Sequence, residues 1–354
     1  MEKYWTPLAR TLTPYVPGEQ PRIPNLVKLN TNENPHPPSP RVLEAIRAAC
    51  DARLRLYPDP SATRLKEAIA RRYDVRPDQV FVGNGSDEVL AHAFPAFFQQ
   101  DRLILFPDIS YSFYPVYCGL YNVPFERIPV DAQLAVQLAD YQRPNGGILF
   151  ASPNAPTGIA VPLADIEALL QANPDTVVLV DEAYIDFGGA SAVPLVARYP
   201  NLLVVQTLSK SRSLAGMRVG FAIGDAGLIT ALERVKSSFN SYPLDHLAQA
   251  GAVAAIEDEE AFTQGCDAII ATRSRLAAAL DALGFDVLPS SANFLFARHP
   301  AHAGTALQAG LRAAGVLVRR FDAPRIADYL RITVGTDAEC ARLVEVLRPL
   351  VQAA

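Results

Sequence analysis

Between residues 78 and 224 the chain alternates short, nearly unbroken apolar runs with longer stretches of helical periodicity. The apolar runs are DQVFVG, RLILFPD, VPFERIPV, GGILFASP, TVVLVDEA, NLLVVQT and RVGFAIG. Runs of this length without polar alternation are what strands buried on both faces show. Between them, SDEVLAHAFPAFF and PLADIEALLQAN place apolar residues at helical spacing. Strand and helix in alternation predict an α/β fold with a large, mostly parallel sheet covered by helices.

From about residue 256 the rhythm changes. A helix (TRSRLAAALDALG) is followed by strands FDVLPS and ANFLFAR, a helix (GTALQAGLRAAG), strands VLVRRFD and YLRITVGT, and the closing helix DAECARLVEVLRPLV. This reads as a smaller α+β domain. The proline-rich opening reads as an extended arm, and no internal repeat is visible.

Composition narrows the function classes. A chain of 354 residues exceeds the usual size of one domain, so two domains, or one large domain with an annex, are expected. A net charge of −5 leaves no basic footprint for nucleic acid. No stretch approaches the roughly 18 apolar residues of a membrane helix, and MEKYWTPLARTLTPY lacks the apolar core of a signal peptide. Cys50, Cys118, Cys266 and Cys340 form no CxxC pair, which argues against a zinc site or disulfide framework and points to a reducing cytoplasm. The histidines make no HExxH, so a metal-dependent mechanism has little support.

In an open parallel sheet, ligands sit at the carboxyl ends of the strands. After DQVFVG comes GNGSDE, where Gly83 and Gly85 free the backbone and Ser86 is placed to cap the next helix. That is a ready anion site, although an ordinary glycine turn with a serine cap has the same letters. A dinucleotide site is weaker still, because the third glycine of GxGxxG is absent. After GGILFA the turn SPNAPTG holds Asn154. After TVVLV come Asp181 and then Tyr184. A carboxylate there is costly unless it meets a cation or strong donors; a helix cap or structural ion pair is the alternative. After NLLVVQ come Thr207, Ser209, Lys210 and Arg218.

Pyridoxal 5′-phosphate requires this whole set. Its aldehyde needs a lysine amine for a Schiff base, and its pyridine nitrogen needs a carboxylate to stay protonated. Its ring oxygen takes an amide or phenol, and its phosphate takes N–H groups, hydroxyls and a guanidinium.

The stretches TLTPY, LNTNENP, RLYPDP, GNGSDE, SPNAPTG, VDEAYIDF, TLSKSRSLAGMRVGF, SSANFLFAR and YLRITVGT run nearly end to end. Through them the chain resembles the fold-type I aminotransferases, class II of the pyridoxal-phosphate-dependent family, and within these the histidinol-phosphate aminotransferases. The resemblance implies a large cofactor-binding domain over residues 46–255, and a small domain combining the arm, 1–45, with 256–354. It implies a homodimer acting on a small-molecule amino donor and a 2-oxo acid: L-histidinol phosphate and 2-oxoglutarate, in histidine biosynthesis. An aromatic-amino-acid aminotransferase, or dual activity, is the alternative.

Carried over residue by residue, Lys210 is the Schiff-base lysine and the proton carrier. Asp181 pairs with the pyridinium nitrogen, Asn154 and Tyr184 hold the ring oxygen, and Tyr111 stacks on the ring. Ser86, Thr207, Ser209 and Arg218 hold the phosphate with backbone N–H groups at Gly85 and Ser86. Tyr57 reaches the phosphate of the partner subunit's cofactor. Arg331 anchors the anionic end of the substrate, with Tyr15, Asn32 and Arg319 around it. Of the adjacent Arg319 and Arg320, one points away by strand alternation. Arg212 either adds charge near the cofactor phosphate or faces solvent. A Ser–Lys hydrolase on Ser209 and Lys210 is disfavoured, since neighbouring side chains on a turn diverge and no SxxK context is present. A non-catalytic ligand-binding regulator with this fold would need a DNA-binding extension, and the motifs occupy the chain from residue 11 onward.

Overall fold

The computed structural model describes residues 2–22 and 24–352. Its strands begin with β1 Val27–Leu29, β2 Val80–Asn84, β3 Ile104–Pro107, β4 Phe125–Ile128, β5 Gly147–Ala151 and β6 Val178–Asp181. They continue with β7 Leu202–Thr207, β8 Val219–Gly224, β9 Asp286–Val287, β10 Phe294–Arg298, β11 Val316–Arg320 and β12 Tyr329–Thr333. One sheet has the order β2-β8-β7-β6-β5-β3-β4. Each apolar run between residues 78 and 224 supplies one of its strands.

β5 to β8 are buried along their whole length because alternate residues feed two cores. Ile148, Phe150, Val178, Val180 and Val204 pack with Ile166, Leu169 and Leu170 of the helix Leu163–Ala172. Leu149, Leu179, Leu203 and Val205 pack on the other face with Val89, Leu90, Phe94 and Tyr114.

The expected mostly parallel sheet has one reversed strand. β3 through β7 are parallel, whereas β8 is antiparallel to both β7 and β2. The connection 208–218 is shorter than the dozen or more residues a parallel crossover needs. The reversal brings the start of β8 to the edge where β7 and β2 end: Gly220 pairs with Thr207 and Gly83, and Val219 with Asn84.

At that edge the helix Gly85–Ala93 begins. Ser86, expected as its cap, lies inside the first turn; Asn84 is the N-cap, and its N–H donates to Glu88 Oε2 at 2.6 Å. The predicted helix 86–98 ends early in a π-turn, Phe94–Phe98, because Pro95 has no N–H to continue the α ladder.

A second sheet has the order β1-β11-β12-β10-β9. The opening segment is not extended throughout: Thr6 caps a short helix, Pro7–Thr11, and β1 then pairs in parallel with β11. Leu29 of β1 joins Leu295, Leu311, Leu330, Ile332 and Leu343 in the core of this unit. Its first helix, Glu259–Asp281, starts well before the predicted 272–284.

Glu182, just past β6, is buried and accepts hydrogen bonds from Ala192 N (2.6 Å), Ser191 Oγ (2.7 Å) and Gln206 Nε2 (2.8 Å). Burial pushes its carboxyl up to about 7 despite these donors. A raised folded-state value means that the contribution to stability is complete below the unfolded value and is lost as pH rises through about 7. Glu182→Gln therefore gains on the wild type between pH 5 and 8, on the order of 2 kcal/mol, in urea unfolding curves taken across that range.

Gly220 allows the sheet edge and the Gly85 turn to meet. A Cβ there would lie 2.2 Å from Ser86 N and 2.4 Å from the Gly85 carbonyl carbon, both backbone atoms that cannot swing aside. Gly220→Ala is expected to destabilise the protein by about 1–3 kcal/mol or more, read from the urea midpoint.

Candidate active site

The strand ends and the reversed β8 deliver their polar residues to one cleft of about 240 Å³. Ser86, Tyr111, Asp181, Tyr184, Thr207, Ser209, Lys210 and Arg218 line it from the large sheet. Tyr15 and Asn32 come from the opening segment, and Arg319 and Arg331 from the second sheet. Three expected site residues lie off its surface. Gly85 sits beneath the Arg218 guanidinium, at φ +77°, where a Cβ would lie 2.4 Å from an Arg218 nitrogen. Asn154 is buried behind the wall; its Oδ1 accepts from Ser110 Oγ at 2.9 Å and its Nδ2 donates to Ile109 O at 3.0 Å. Tyr57 lies outside the cleft, 79% exposed, stacked on Tyr242 at 4.6 Å.

Asp181 is the electrostatic centre. Its Oδ2 accepts from Tyr114 Oη at 3.0 Å and its Oδ1 from Ala183 N at 3.2 Å. Among the described residues no basic group lies within ion-pair distance of it. Burial pushes this carboxyl up to about 6, and the two donors offset only part of that. A cation approaching from the cleft would reverse the penalty.

The side expected to hold the phosphate is built from hydroxyls, backbone and one guanidinium. Thr207 Oγ1 donates to Ser209 Oγ at 3.0 Å, beside the start of the helix Gly85–Ala93. Arg218 is held in the left-handed region at φ +53°, a strained conformation for an arginine, and reaches Asp87 at 3.1 Å. Tyr111 Oη also donates to Asp87, at 2.9 Å. Burial, and then Asp87, raise the Tyr111 phenol well above its ordinary value, so it stays a donor.

Lys210 is wrapped by LNTNENP from the opening segment. Its Nζ donates to Thr31 O at 3.3 Å, and Asn34 Nδ2 donates to the Lys210 carbonyl at 3.0 Å. Asn32 Nδ2 donates to Tyr184 Oη at 3.0 Å. Glu33 lines the cleft as well, paired with Lys28. On the other side Ser211 Oγ donates to Asp186 at 2.5 Å. Arg212 neither approaches the phosphate side nor faces solvent. It is buried, bonds the Ala255 carbonyl and lies 3.7 Å over the Phe262 ring, tying the lysine turn to the helices that follow.

At the far wall, Arg319 and Arg331 are directly opposed across β11 and β12. Like charges in that register destabilise a sheet unless an anion joins them. Arg319 is occupied by the Val16 and Pro17 carbonyls, at 3.1 and 3.3 Å. Arg331 is half-buried, donates to Asn30 O at 3.1 Å and has a buried Nε without a partner among the described residues. Burial depresses its guanidinium below the ordinary value, which favours an anionic partner. Arg320 turns away, to the Ala327 carbonyl at 3.1 Å. Tyr15, stacked on Phe113 at 4.8 Å and tilted against Tyr111 at 6.3 Å, adds an aromatic face.

Sequence reasoning missed Thr31, Glu33, Asn34 and Asp87, and it reads the Tyr111–Tyr117 segment as an aromatic wall of the substrate pocket without the hydrogen bonds of Tyr114 and Tyr117. The three-residue spacing in YSFYPVY was the available signal for the tyrosines. The residues present fit pyridoxal phosphate: a buried carboxylate with no ion-pair partner among the described residues, an amine in the same cleft, and an anion cradle that any side chain at Gly85 would fill.

Comparison with known proteins agrees. The family model for aminotransferase class I and II matches residues 24–347. Histidinol-phosphate aminotransferase 1 of Bradyrhizobium diazoefficiens is 64% identical over 351 residues, covering 99% of this chain and 100% of the relative. Histidinol-phosphate aminotransferase 1 of Methylococcus capsulatus is 63% identical, with coverages of 99% and 98%. In fold, the chain matches the histidinol-phosphate aminotransferase of Sinorhizobium meliloti, solved with pyridoxal-5′-phosphate, at a TM-score of 0.89 and 24% identity, covering 99% and 98% of the two chains. A lysine, a buried carboxylate and an anion cradle on one sheet edge, matched along nearly the whole chain, place this protein in the family of class I and II aminotransferases.

Proposed function

We propose that the chain transaminates L-histidinol phosphate with 2-oxoglutarate, giving imidazole acetol phosphate and glutamate, in histidine biosynthesis. The opposed Arg319 and Arg331, in the same cleft as Lys210, carry this reading. One donor ends in a phosphate and the acceptor in a second carboxylate, and a guanidinium pairs with either. The names of relatives about 60% identical over their full length support the same choice.

Bound pyridoxal phosphate supplies the carbon that exchanges the amino group and a ring that draws electrons from the substrate Cα. Lys210, Asp181, Tyr184, Ser86, Thr207, Ser209 and Arg218 would hold it, with Asn154 behind the wall and Tyr111 over one face. Lys210 Nζ would take the proton from the substrate Cα, the turn around it being fixed by Asn34 and Ser211. Asp181 would hold a proton at the ring nitrogen. Asn32 orients the Tyr184 phenol by donating to its oxygen. Arg331, supported by Arg319, Tyr15 and Asn32, would bind the anionic end of each substrate in turn.

The proposal extends to assembly. Tyr57 is 79% exposed and stacked on the exposed Tyr242, and Leu54 and Leu56, close to it in the chain, are exposed as well, apolar surface that suits a second copy of the chain. In such a homodimer Tyr57 would reach the phosphate of the partner's cofactor. The division into domains 46–255 and 1–45 with 256–354, and a cytoplasmic setting, belong to the same reading. Among the described residues no helix is long and apolar enough to cross a membrane.

Single-turnover spectra test the function. Histidinol phosphate is expected to bleach the yellow cofactor band rapidly; phenylalanine doing so equally fast would move the enzyme to the aromatic branch. Lys210→Ala is expected to slow the conversion by more than about 10³-fold. Arg331→Leu is expected to lower kcat/KM about 100-fold or more for both histidinol phosphate and 2-oxoglutarate, and a loss confined to one of them would overturn its shared role.

A further inference from the structure

Three tyrosines of YSFYPVY each donate a hydroxyl around the two carboxylates of the site. Tyr111 Oη reaches the Asp87 carboxylate at 2.9 Å, Tyr114 Oη reaches Asp181 Oδ2 at 3.0 Å, and Tyr117 Oη reaches the Asp87 backbone carbonyl at 2.8 Å. Tyr114 and Tyr117, three apart on the helix Tyr114–Tyr121, share a face, and Tyr111 lies in the turn that leads into it. Tyr114 is fully buried, packed edge-on against Tyr111 and Phe106, and does not line the cleft. Among the described residues the only hydrogen-bond partner of its hydroxyl is the carboxylate, which does line it.

We propose that Tyr114 is a positioning residue for Asp181, donating a buried hydroxyl that keeps this carboxyl ionised and turned toward the cleft. The inference rests on the cofactor-binding reading above. Burial, with Asp181 beside it, holds the Tyr114 phenol well above its ordinary value, so the hydroxyl remains protonated and donates. The carboxyl needs the help, because burial drives it up to about 6 and Asp87 pushes the same way. Opposing this are Tyr114, the Ala183 N–H and Lys210, in that order. Other polar groups nearby are already engaged: Tyr111 and Arg218 with Asp87, Tyr117 with the Asp87 backbone, Tyr184 with Asn32, and Glu182 with Ser191 and Gln206. With the donor in place Asp181 is a weaker base, and a proton shared with a ring nitrogen rests on the nitrogen.

Tyr117 supplies the control, since it is also a buried phenol of this helix but bonds a carbonyl instead of a carboxylate. The carboxyl carbon of Asp181, labelled with 13C and assigned with Asp181→Asn, is titrated in cofactor-free wild type, Tyr114→Phe and Tyr117→Phe. Tyr114→Phe is expected to raise the Asp181 midpoint by about one pH unit, a tenfold gain in proton affinity, with Tyr117→Phe near the wild type. Reconstitution with ring-15N cofactor gives a second readout, in which Tyr114→Phe moves the nitrogen signal toward the unprotonated form. The wild type alone gives a third: the labelled Tyr114 Cζ signal must move with the Asp181 midpoint. Equal Asp181 titration in the two Phe variants, or a flat Tyr114 signal, overturns the proposal. Failure of the wild type to bind pyridoxal phosphate would instead sink the transaminase reading, and the cofactor-free titration would still decide the role of Tyr114.

Discussion

A carboxylate buried at the end of a parallel strand, with no basic group of the described residues in ion-pair distance, is the constraint around which this molecule is arranged. Asp181 is 5% exposed, and its ionised form carries a desolvation cost that two hydrogen bonds offset only in part. Such a group persists where a ligand supplies the missing charge. The sheet places it centrally: β6 lies between β5 and β7, so Asn154 and Lys210 flank Asp181 on the next two connections. The reversed β8 then returns Arg218 to the same edge, opposite the first turn of the helix Gly85–Ala93.

The second sheet depends on the first through the opening segment. β1 is an edge strand of the small sheet, and the residues that follow it, Thr31 to Asn34, close over Lys210 and Tyr184. Asn32 also receives a hydrogen bond from Thr333 Oγ1 of β12, at 3.1 Å, two residues along the strand from Arg331. Lys210, the Tyr184 phenol and the Arg331 guanidinium therefore share one continuous hydrogen-bonded support. Arg212 extends it from the lysine turn to Phe262. A shift of the small unit would be felt at Lys210 through these contacts.

Much of this was legible in the chain. The strands of the large sheet appear as apolar runs because a strand covered on both faces has no polar side to alternate with. The polar residues just beyond those runs mark the strand ends, and that is how Asp181, Lys210 and Arg218 could be named together. Asp87 and Tyr114 were not legible in this way. An acidic residue in the first turn of a helix and a tyrosine in an aromatic stretch look like ordinary capping and core residues, and only their partners show otherwise. Ser86 shows the opposite error: its letter suits a cap, but Asn84 is the N-cap and the helix starts at Gly85, two residues earlier than a Ser86 cap would set it.

The order of apolar runs and turns, a local property of the chain, determined by itself the α/β class, the strand inventory and the residue types available for chemistry. Local periodicity carries no information on which strand reverses or which distant segments meet. The tertiary structure decided that β8 runs backward, because its connection is too short to cross over. It decided that Arg319 faces the cleft while Arg320 bonds the Ala327 carbonyl, through the register of β11 against β12. It also decided that Arg212 is buried against an aromatic ring contributed from fifty residues further along. Each of these outcomes depends on contacts between residues far apart in the chain, and packing alone selects among the arrangements that the local pattern permits.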